Sequence, residues 1–336
     1  MPPSEDILLY HYHASPYAKR IVWYLNLRRI PYTQCLQPPV MPRPDTAAIG
    51  TLYRRIPILS IGLDIYNDTR LILSKLQNLY PPSPSHPPLP TPFPSAPASG
   101  GVEKLLSNWV IGGLFAKAAA LIPSHLPIMK DERFKKDREE FSGTSWDATS
   151  REKERKEALV DIKRAFELLE TTFLGDGRDW VLATKGPSLG DIEAVWPFHW
   201  LTTLPGALPT SYISPAQFPR TFAWISRFDA HARSAATTAG KPKTVTGDQA
   251  VQIMQQSSLV ERELGVEDGD PSGLRHGERV EVWPVDSGRS GRDRGRLVGL
   301  NGNEIVVVTE GGKVEGVRVH CPREGFRVRR APEGKL

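Results

Sequence analysis

Ser15 stands directly before Pro16 at the head of an apolar-periodic run, and His11 and His13 alternate just upstream. An alternating histidine pair points to one face of a strand, as metal ligands sometimes do. No acid or cysteine lies near to complete a zinc set, so this pattern does not specify a metal. A Ser15–His13 hydrolase dyad lacks both an orienting acid and a Gly-x-Ser-x-Gly elbow. Cys35, inside a strand-like run, reads as a small buried hydrophobe rather than a nucleophile. At Ile56-Pro57 a proline opens a strand. A cis bond there would turn the Ile56 N–H and C=O outward, where a peptide-like ligand could pair as an added strand. Ser188 and Asp191 have capping-box spacing at the head of an apolar helix, which is a folding device worth about 0.5–2 kcal/mol.

The elements that must position these groups follow from periodicity. Ile7–Tyr12 reads as a strand, and Pro16–Arg28 as a helix with Ala18, Ile21, Val22 and Leu25 on one face. Strands at Tyr32–Leu36, Ile58–Ile61 and Asp64–Tyr66, then a helix at Thr69–Leu79, complete a βαβ, irregular, ββα order in residues 1–80. Nine prolines between Pro81 and Pro97 mark residues 81–101 as a linker. Residues 102–239 have helical spacing, at Val102–Leu121, Arg151–Phe173, from Ser188, and at Pro215–Ala235. The charged stretch Phe134–Glu154 reads as a solvated helical face or a mobile excursion. Residues 240–273 read as linker with one helix, Gly247–Leu264, that Asp248 would cap. Residues 274–331 alternate with Gly and Asn-Gly punctuation, as in a small antiparallel barrel.

The expected fold class is α+β multidomain: a thioredoxin-like βαβ-ββα domain, an all-α bundle and a small C-terminal SH3-like β-barrel. The 336 residues carry 43 Lys+Arg against 38 Asp+Glu. Residues 271–336 hold 13 basic and 9 acidic side chains, interspersed, which is not the single-sign stripe of a nucleic-acid footprint. No apolar run approaches a bilayer span, and the N-terminal residues lack a signal-peptide pattern, so a cytoplasmic protein without a membrane is expected. Two cysteines far apart exclude a disulfide framework.

In combination, three motifs within residues 15–72, joined by a fourth in the helical part, resemble the cytosolic glutathione transferase superfamily. Ser15-Pro16-Tyr17-Ala18 resembles that family's Ser/Cys-Pro-Phe/Tyr-Ala turn, and Arg55-Ile56-Pro57-Ile58-Leu59 resembles its cis-proline signature. Asp68-Thr69-Arg70-Leu71-Ile72 is similar to its Glu/Gln-Ser-x-Ala-Ile motif, and Ser188-Leu189-Gly190-Asp191-Ile192 to its capping box. The likeness spans about residues 7–235. The irregular Gln37–Leu52 stretch resembles divergent fungal or bacterial branches.

That resemblance implies glutathione as co-substrate, with no metal, adding as thiolate to a hydrophobic electrophile in a detoxification-type reaction. Ser15 would donate to the sulfur at a helix N-terminus, with Tyr10 or Tyr12 as substitute hydroxyl donors. Serine where some branches have cysteine argues against thiol-exchange reduction. Ile56, beside Pro57, would be the backbone anchor. Asp68 would pair the γ-glutamyl ammonium and Thr69 would hold its carboxylate. Arg54 and Arg55 would meet the glycyl carboxylate or stand as a solvated pair. Trp109, Phe115, Trp196, Phe198 and Trp200 read as core of the helical domain, with Trp109 and Phe115 alternatively lining the cleft of an apolar electrophile. Homodimerisation is common in that family. The alternatives are a binding or scaffold module, a glutathione-independent isomerase or cyclase, and a weaker RNA contact through Arg292, Arg294, Arg296, Arg327, Arg329 and Arg330.

Overall fold

The computed structural model describes residues 3, 5–92 and 97–332. Strand β1 (Ile7–His11), helix α1 (Pro16–Leu27) and β2 (Thr33–Leu36) form a parallel βαβ unit. A five-residue helix α2 (Pro44–Ala48), the hairpin β3 (Ile58–Ile61) and β4 (Asp64–Asn67), and α3 (Thr69–Leu79) complete the thioredoxin-like domain in the expected order. Its sheet runs β4-β3-β1-β2. β1 is buried on both faces, which its unbroken apolar run requires. Ile7 and Leu9 enter one core with α1, α3 and the helical domain, whereas Leu8 and Tyr10 enter a second core on the opposite face.

Past the linker, α4 (Pro97–Trp109) continues through a π-helical stretch, Val110–Leu114, into α5 (Phe115–Ala120). Then come α6 (Glu132–Ser142), α7 (Ala148–Leu168), α8 (Leu189–Thr202) and α9 (Pro219–Ala239). Residues 93–96 of the expected linker lie outside the described residues, and helix begins within its span at Pro97. Helix α8 is buried nearly all round and starts at the expected capping box: Ser188 Oγ accepts from the Asp191 N–H, and Asp191 accepts from the Ser188 N–H. The Asp191 carboxylate also accepts from the Val181 N–H at 3.0 Å and from Trp224 Nε1 at 2.8 Å. One acid thereby ties α8 to α9 and to the preceding turn.

The C-terminal part departs furthest from expectation. It contains β5 (Lys243–Val245), α10 (Gly247–Gln255), β6 (Gly265–Val266), β7 (Arg279–Pro284), β8 (Asp293–Leu300), β9 (Glu304–Thr309), β10 (Arg318–Pro322) and β11 (Phe326–Arg330). The strands are β-rich as expected, but they are not a detached barrel. Strand β10 pairs in parallel with β4, so a single sheet runs β11-β7-β8-β9-β10-β4-β3-β1-β2-β5. Their inner residues, among them Val280, Leu297, Val307 and Val319, share the second core with Leu8, Tyr10 and Ile58. The reason is an unsatisfied edge: β4 would otherwise end the N-terminal sheet with an unpaired ladder.

Residues 240–273 are likewise not a linker. β5 pairs with β2 along the other edge, and α10 ends at Gln255 rather than Leu264. Its cap is Thr246, boxed with Gln249, instead of Asp248. The Phe134–Glu154 stretch is neither solvated nor loose where α6 meets the N-terminal domain, because Asp137 is buried against Arg54 at 2.8 Å. Gly291 shows how close the C-terminal unit comes: a Cβ there would lie 2.3 Å from the Leu52 carbonyl oxygen, so only glycine fits. Among the described residues no helix is long and apolar enough to cross a membrane.

Candidate functional site

Ser15 ends the β1–α1 loop in extended conformation, and its Oγ accepts from the Ala18 N–H at 3.2 Å with Pro16 in the first turn. The residue is 3% exposed. Ser15 is therefore the N-cap of α1. No acceptor for the Ser15 hydroxyl proton occurs among the described residues, so the O–H can still donate at the positive end of α1.

Two other backbone features lie at the same end of the sheet. The Ile56–Pro57 bond is cis, and neither the N–H nor the C=O of Ile56 is hydrogen-bonded among the described residues. Asp68 occupies the left-handed region, φ +71, and caps α3 by accepting from the Arg70 N–H at 3.0 Å. Its carboxylate also accepts from Arg70 Nε at 3.0 Å and Nη2 at 3.1 Å, with Arg55 3.9 Å away. Burial acts to raise the Asp68 pKa, but the Arg70 and Arg55 guanidiniums hold it below the ordinary carboxyl value. Thr69 Oγ1 accepts from Arg20 Nη1 at 2.6 Å beneath the site.

Arg55 goes on to Asp286 and the Ser287 carbonyl, and Arg70 to Glu324 at 3.6 Å. The result is a chain of alternating charges, Asp286–Arg55–Asp68–Arg70–Glu324, with three acids and two bases. Both outer acids come from the C-terminal unit. A net single negative charge at a helix N-terminus suits one ammonium flanked by a carboxylate.

Tyr17 lies on the neighbouring side, its hydroxyl in the field of Arg55, Asp68, Arg20 and Asp286. Burial raises the Tyr17 pKa above its ordinary value, so it stays protonated. Its ring meets Phe115 at 4.7 Å and Trp196 at 4.5 Å, and Phe115 meets Trp200 at 5.6 Å. Phe115, Trp109 and Trp200 are half-buried, whereas Trp196 and Phe198 are core. An apolar wall thus stands beside the head of α1.

Several candidates are placed elsewhere. Tyr10 is fully buried and its hydroxyl meets Met254 Sδ at 3.6 Å, so it cannot serve as a donor at Ser15; burial raises its pKa. Arg54 and Arg55 are not a solvated pair: Arg54 is buried on Asp137 and Glu140, and Arg55 belongs to the charge chain. His11 is held by Gln34 Oε1 at 3.0 Å, with His13 edge-on at 5.5 Å. Cys35 is buried, and its thiol is pushed up to about 12 by burial and by Asp45. One carboxylate–histidine cluster has ligand spacing among the described residues, Glu261, Glu304 and His320. The Lys75 ammonium bonds Glu261 at 2.6 Å and Glu304 at 2.8 Å, which supplies the positive charge a cation would bring. That donor set does not fit a metal.

Sequence reasoning missed Asp286, Ser287, Glu324 and Asp293, because each lies more than 200 residues from the group it meets and leaves no local pattern. Asp293 accepts from Thr51 Oγ1 at 3.1 Å, the Leu52 N–H at 2.6 Å and Asn67 Nδ2 at 3.0 Å, which fixes the loop leading to Ile56. Burial pushes its carboxyl up to about 6 against those hydrogen bonds. The folded state therefore holds this proton more tightly than the unfolded chain does. Its stabilising contribution is complete below the ordinary carboxyl value of 3.8 and is lost as pH rises through about 6. Asp293→Asn is expected to flatten that interval, changing the wild-type-minus-variant unfolding free energy by about 2 kcal/mol between about pH 4 and 7. Urea unfolding of both proteins at the two pH values checks it, and parallel profiles would refute it.

The comparisons with known proteins agree with this geometry. Residues 9–84 match the family model "Glutathione S-transferase, N-terminal domain". Residues 117–237 match "Domain of unknown function (DUF7962)". A crystal structure of a GST-like protein from Pseudomonas syringae aligns with TM-score 0.69 and 22% identity, over 97% of this chain and 100% of that one. The tau class glutathione S-transferase of mango, Mangifera indica, aligns with TM-score 0.51 and 15% identity over 74% and 98%. Human glutathione-S-transferase T1-1 gives TM-score 0.50 and 16% over 74% and 97%. A search of the curated proteins returns no match. At these identities the structures show a shared fold.

Proposed function

We propose, for a chain whose residues 9–84 match the glutathione S-transferase N-terminal domain model, that it adds the glutathione thiolate to a hydrophobic electrophile. The observation that carries this reading is that two unpaired groups, the Ser15 hydroxyl proton and the Ile56 peptide group, lie at the same end of the sheet as the N-terminus of α3. The cysteinyl backbone would pair with Ile56 as an added strand. The γ-glutamyl end would lie at Asp68 and Thr69, its ammonium in the net negative field of the charge chain and its carboxylate at the helix N-terminus.

A free thiol titrates near ~8.5, so most glutathione is protonated at neutral pH. Donation from Ser15, with the α1 dipole, stabilises the thiolate, and each unit of lowered pKa corresponds to about 1.4 kcal/mol. The thiol proton leaves to solvent, the sulfur lone pair forms the new C–S bond, and either a leaving group departs or the adduct takes up a proton. The Tyr17–Phe115–Trp200 wall supplies apolar surface for the electrophile.

Two substitutions at Ser15 test the role. Ser15→Ala removes both cap and donor, whereas Ser15→Asp keeps a capping oxygen and removes the hydroxyl proton. Turnover with an aryl halide is expected to fall at least about tenfold in both at pH 7, with Ser15→Asp retaining the wild-type melting temperature. Turnover within about twofold of wild type in either variant would remove Ser15 from the mechanism. Isothermal titration with reduced glutathione, repeated on Asp68→Ala, measures the binding half of the proposal. Absence of binding to the folded wild type would reject it.

A further inference from the structure

The charges of residues 271–336, interspersed along the chain, separate in the fold. Four acids turn toward the N-terminal domain: Asp286 meets Arg55, Asp293 meets Thr51 and Asn67, Glu304 meets Lys75, and Glu324 meets Arg70. Strand alternation sends the arginines the other way. In β7, Val280 and Val282 enter the second core, so Arg279, Glu281 and Trp283 face outward. Arg327 and Arg329 of β11 stand opposite Trp283 and Glu281, while Arg294 and Arg296 of β8 stand opposite Glu281 and Arg279. Arg292, just before β8, joins the same face by lying over the Trp283 ring, 4.5 Å from its centroid.

The six guanidiniums of this outer face meet two acids among the described residues. Glu281, itself buried, accepts from Arg292 at 3.0 Å and from Arg294 at 2.6 Å, and Glu310 accepts from Arg279. Arg296, Arg327 and Arg329 make no ion pair among the described residues. Arg330, at the end of β11, is paired with Glu278 at 3.1 Å. Arg279 and Arg296 stand directly opposite each other, and like charges so placed weaken a sheet. Folding alone gives no reason for that pair. Trp283 is 8% exposed and lies between Arg292 and Arg329, the latter 6.0 Å from its centroid, so the face presents guanidiniums and not the ring.

We propose that the outer face of β8, β7 and β11 binds the phosphate backbone of a double-stranded nucleic acid, irrespective of its sequence. A planar guanidinium takes a phosphate through two parallel hydrogen bonds, and every cation on these three strands is an arginine. Neighbouring strands lie about 4.8 Å apart and alternate residues about 6.7 Å apart, so the charges form a strip about 10 Å wide. With Trp283 covered, no ring on the face is open to stack a base, which a single strand would need. None of the three strands carries an exposed large hydrophobic residue. An anionic membrane would take such a residue as an insertion, and a protein partner as the centre of its interface.

Fluorescence anisotropy of the full chain with a labelled DNA duplex of about two helical turns tests it. Binding is expected in the micromolar range at about 50 mM salt, with a slope of log affinity against log salt of about −3 for three phosphates met by the three unpaired arginines. Two unrelated sequences should bind within about twofold of each other. Arg296→Gln and Arg327→Gln, both at exposed positions, should each weaken binding about threefold to tenfold and make the slope shallower by about 1. Arg296→Gln should do so without lowering the melting temperature, because it relieves the opposition to Arg279. Lys153→Gln, at an exposed position on α7, should bind as the wild type does. No binding up to about 100 µM protein, unchanged affinity in either arginine variant, an equal loss in Lys153→Gln, or tighter binding of the single strand would overturn the proposal. Equal or tighter binding to phosphatidylserine vesicles or to polyglutamate would overturn it as well, in favour of a membrane or an acidic protein.

Discussion

Asp64→Ala is expected to cost about 3–5 kcal/mol of folding stability, the range for removing one partner from a buried ion pair. Asp64 is 0% exposed, and its carboxylate accepts from Arg318 Nε at 2.9 Å, His320 Nε2 at 2.9 Å, the Val260 N–H at 2.6 Å and the Glu261 N–H at 3.0 Å. Three parts of the chain meet on this one acid: β4, β10 and the segment after α10. Alanine would remove the acceptor of Arg318 Nε, of His320 Nε2 and of two backbone N–H groups, leaving Arg318 only the Glu261 carbonyl and His320 only Glu304. His320 also bonds Glu304 at 2.6 Å. Burial acts to lower the His320 pKa, but Asp64 and Glu304 together raise it above the ordinary 6.5. Its contribution is therefore complete below about 6.5 and is lost as pH rises through the higher folded value. Guanidinium unfolding at about pH 6 and 8.5 should show the wild type less stable at the higher pH, and Asp64→Ala largely without that difference. A loss below about 1 kcal/mol would mean that the seam between the two β-regions rests on apolar packing alone.

Glu193→Ala should be comparably severe, at about 3–5 kcal/mol, and should reach the candidate site. Arg20 is fully buried on α1 and is paired with Glu193 of α8; it also donates to Thr69 Oγ1 at 2.6 Å and Ser107 Oγ at 3.0 Å. One guanidinium thus joins the thioredoxin-like and helical domains and fixes the first residue of α3. Without Glu193 the Arg20 charge is unbalanced and the Thr69 hydroxyl loses its fixed donor. Glutathione affinity is expected to fall along with stability, while Glu193→Gln, which keeps an acceptor but no charge, should lose less of both than Glu193→Ala. Affinity unchanged in Glu193→Ala would separate the interdomain pair from the site.

Much of the N-terminal domain was legible because its signals are local. Proline before β3, glycine between β3 and β4, and a Ser-Pro step at the head of α1 each fix backbone geometry within a few residues. The Ser188–Asp191 box was equally readable, because both partners lie within one helical turn. Asp68 illustrates the boundary: its capping role is local, but its pairing with Arg55 and the extension to Asp286 and Glu324 are not. The Phe134–Glu154 stretch was misread for the same reason. Its charges look solvated in sequence, yet Asp137 is buried on an arginine 83 positions away.

By itself the sequence determined the βαβ-ββα order, the helical domain and the residues at the heads of α1 and α3. Periods of 2 and 3.6 and capping chemistry are properties of neighbouring residues. Only the tertiary structure decided that the C-terminal strands extend the first sheet instead of closing on themselves, and that their loops bring acids to the candidate site. Strand alternation says which face of a strand is buried but not which edge it will pair with, and edge choice depends on contacts between residues more than 200 positions apart.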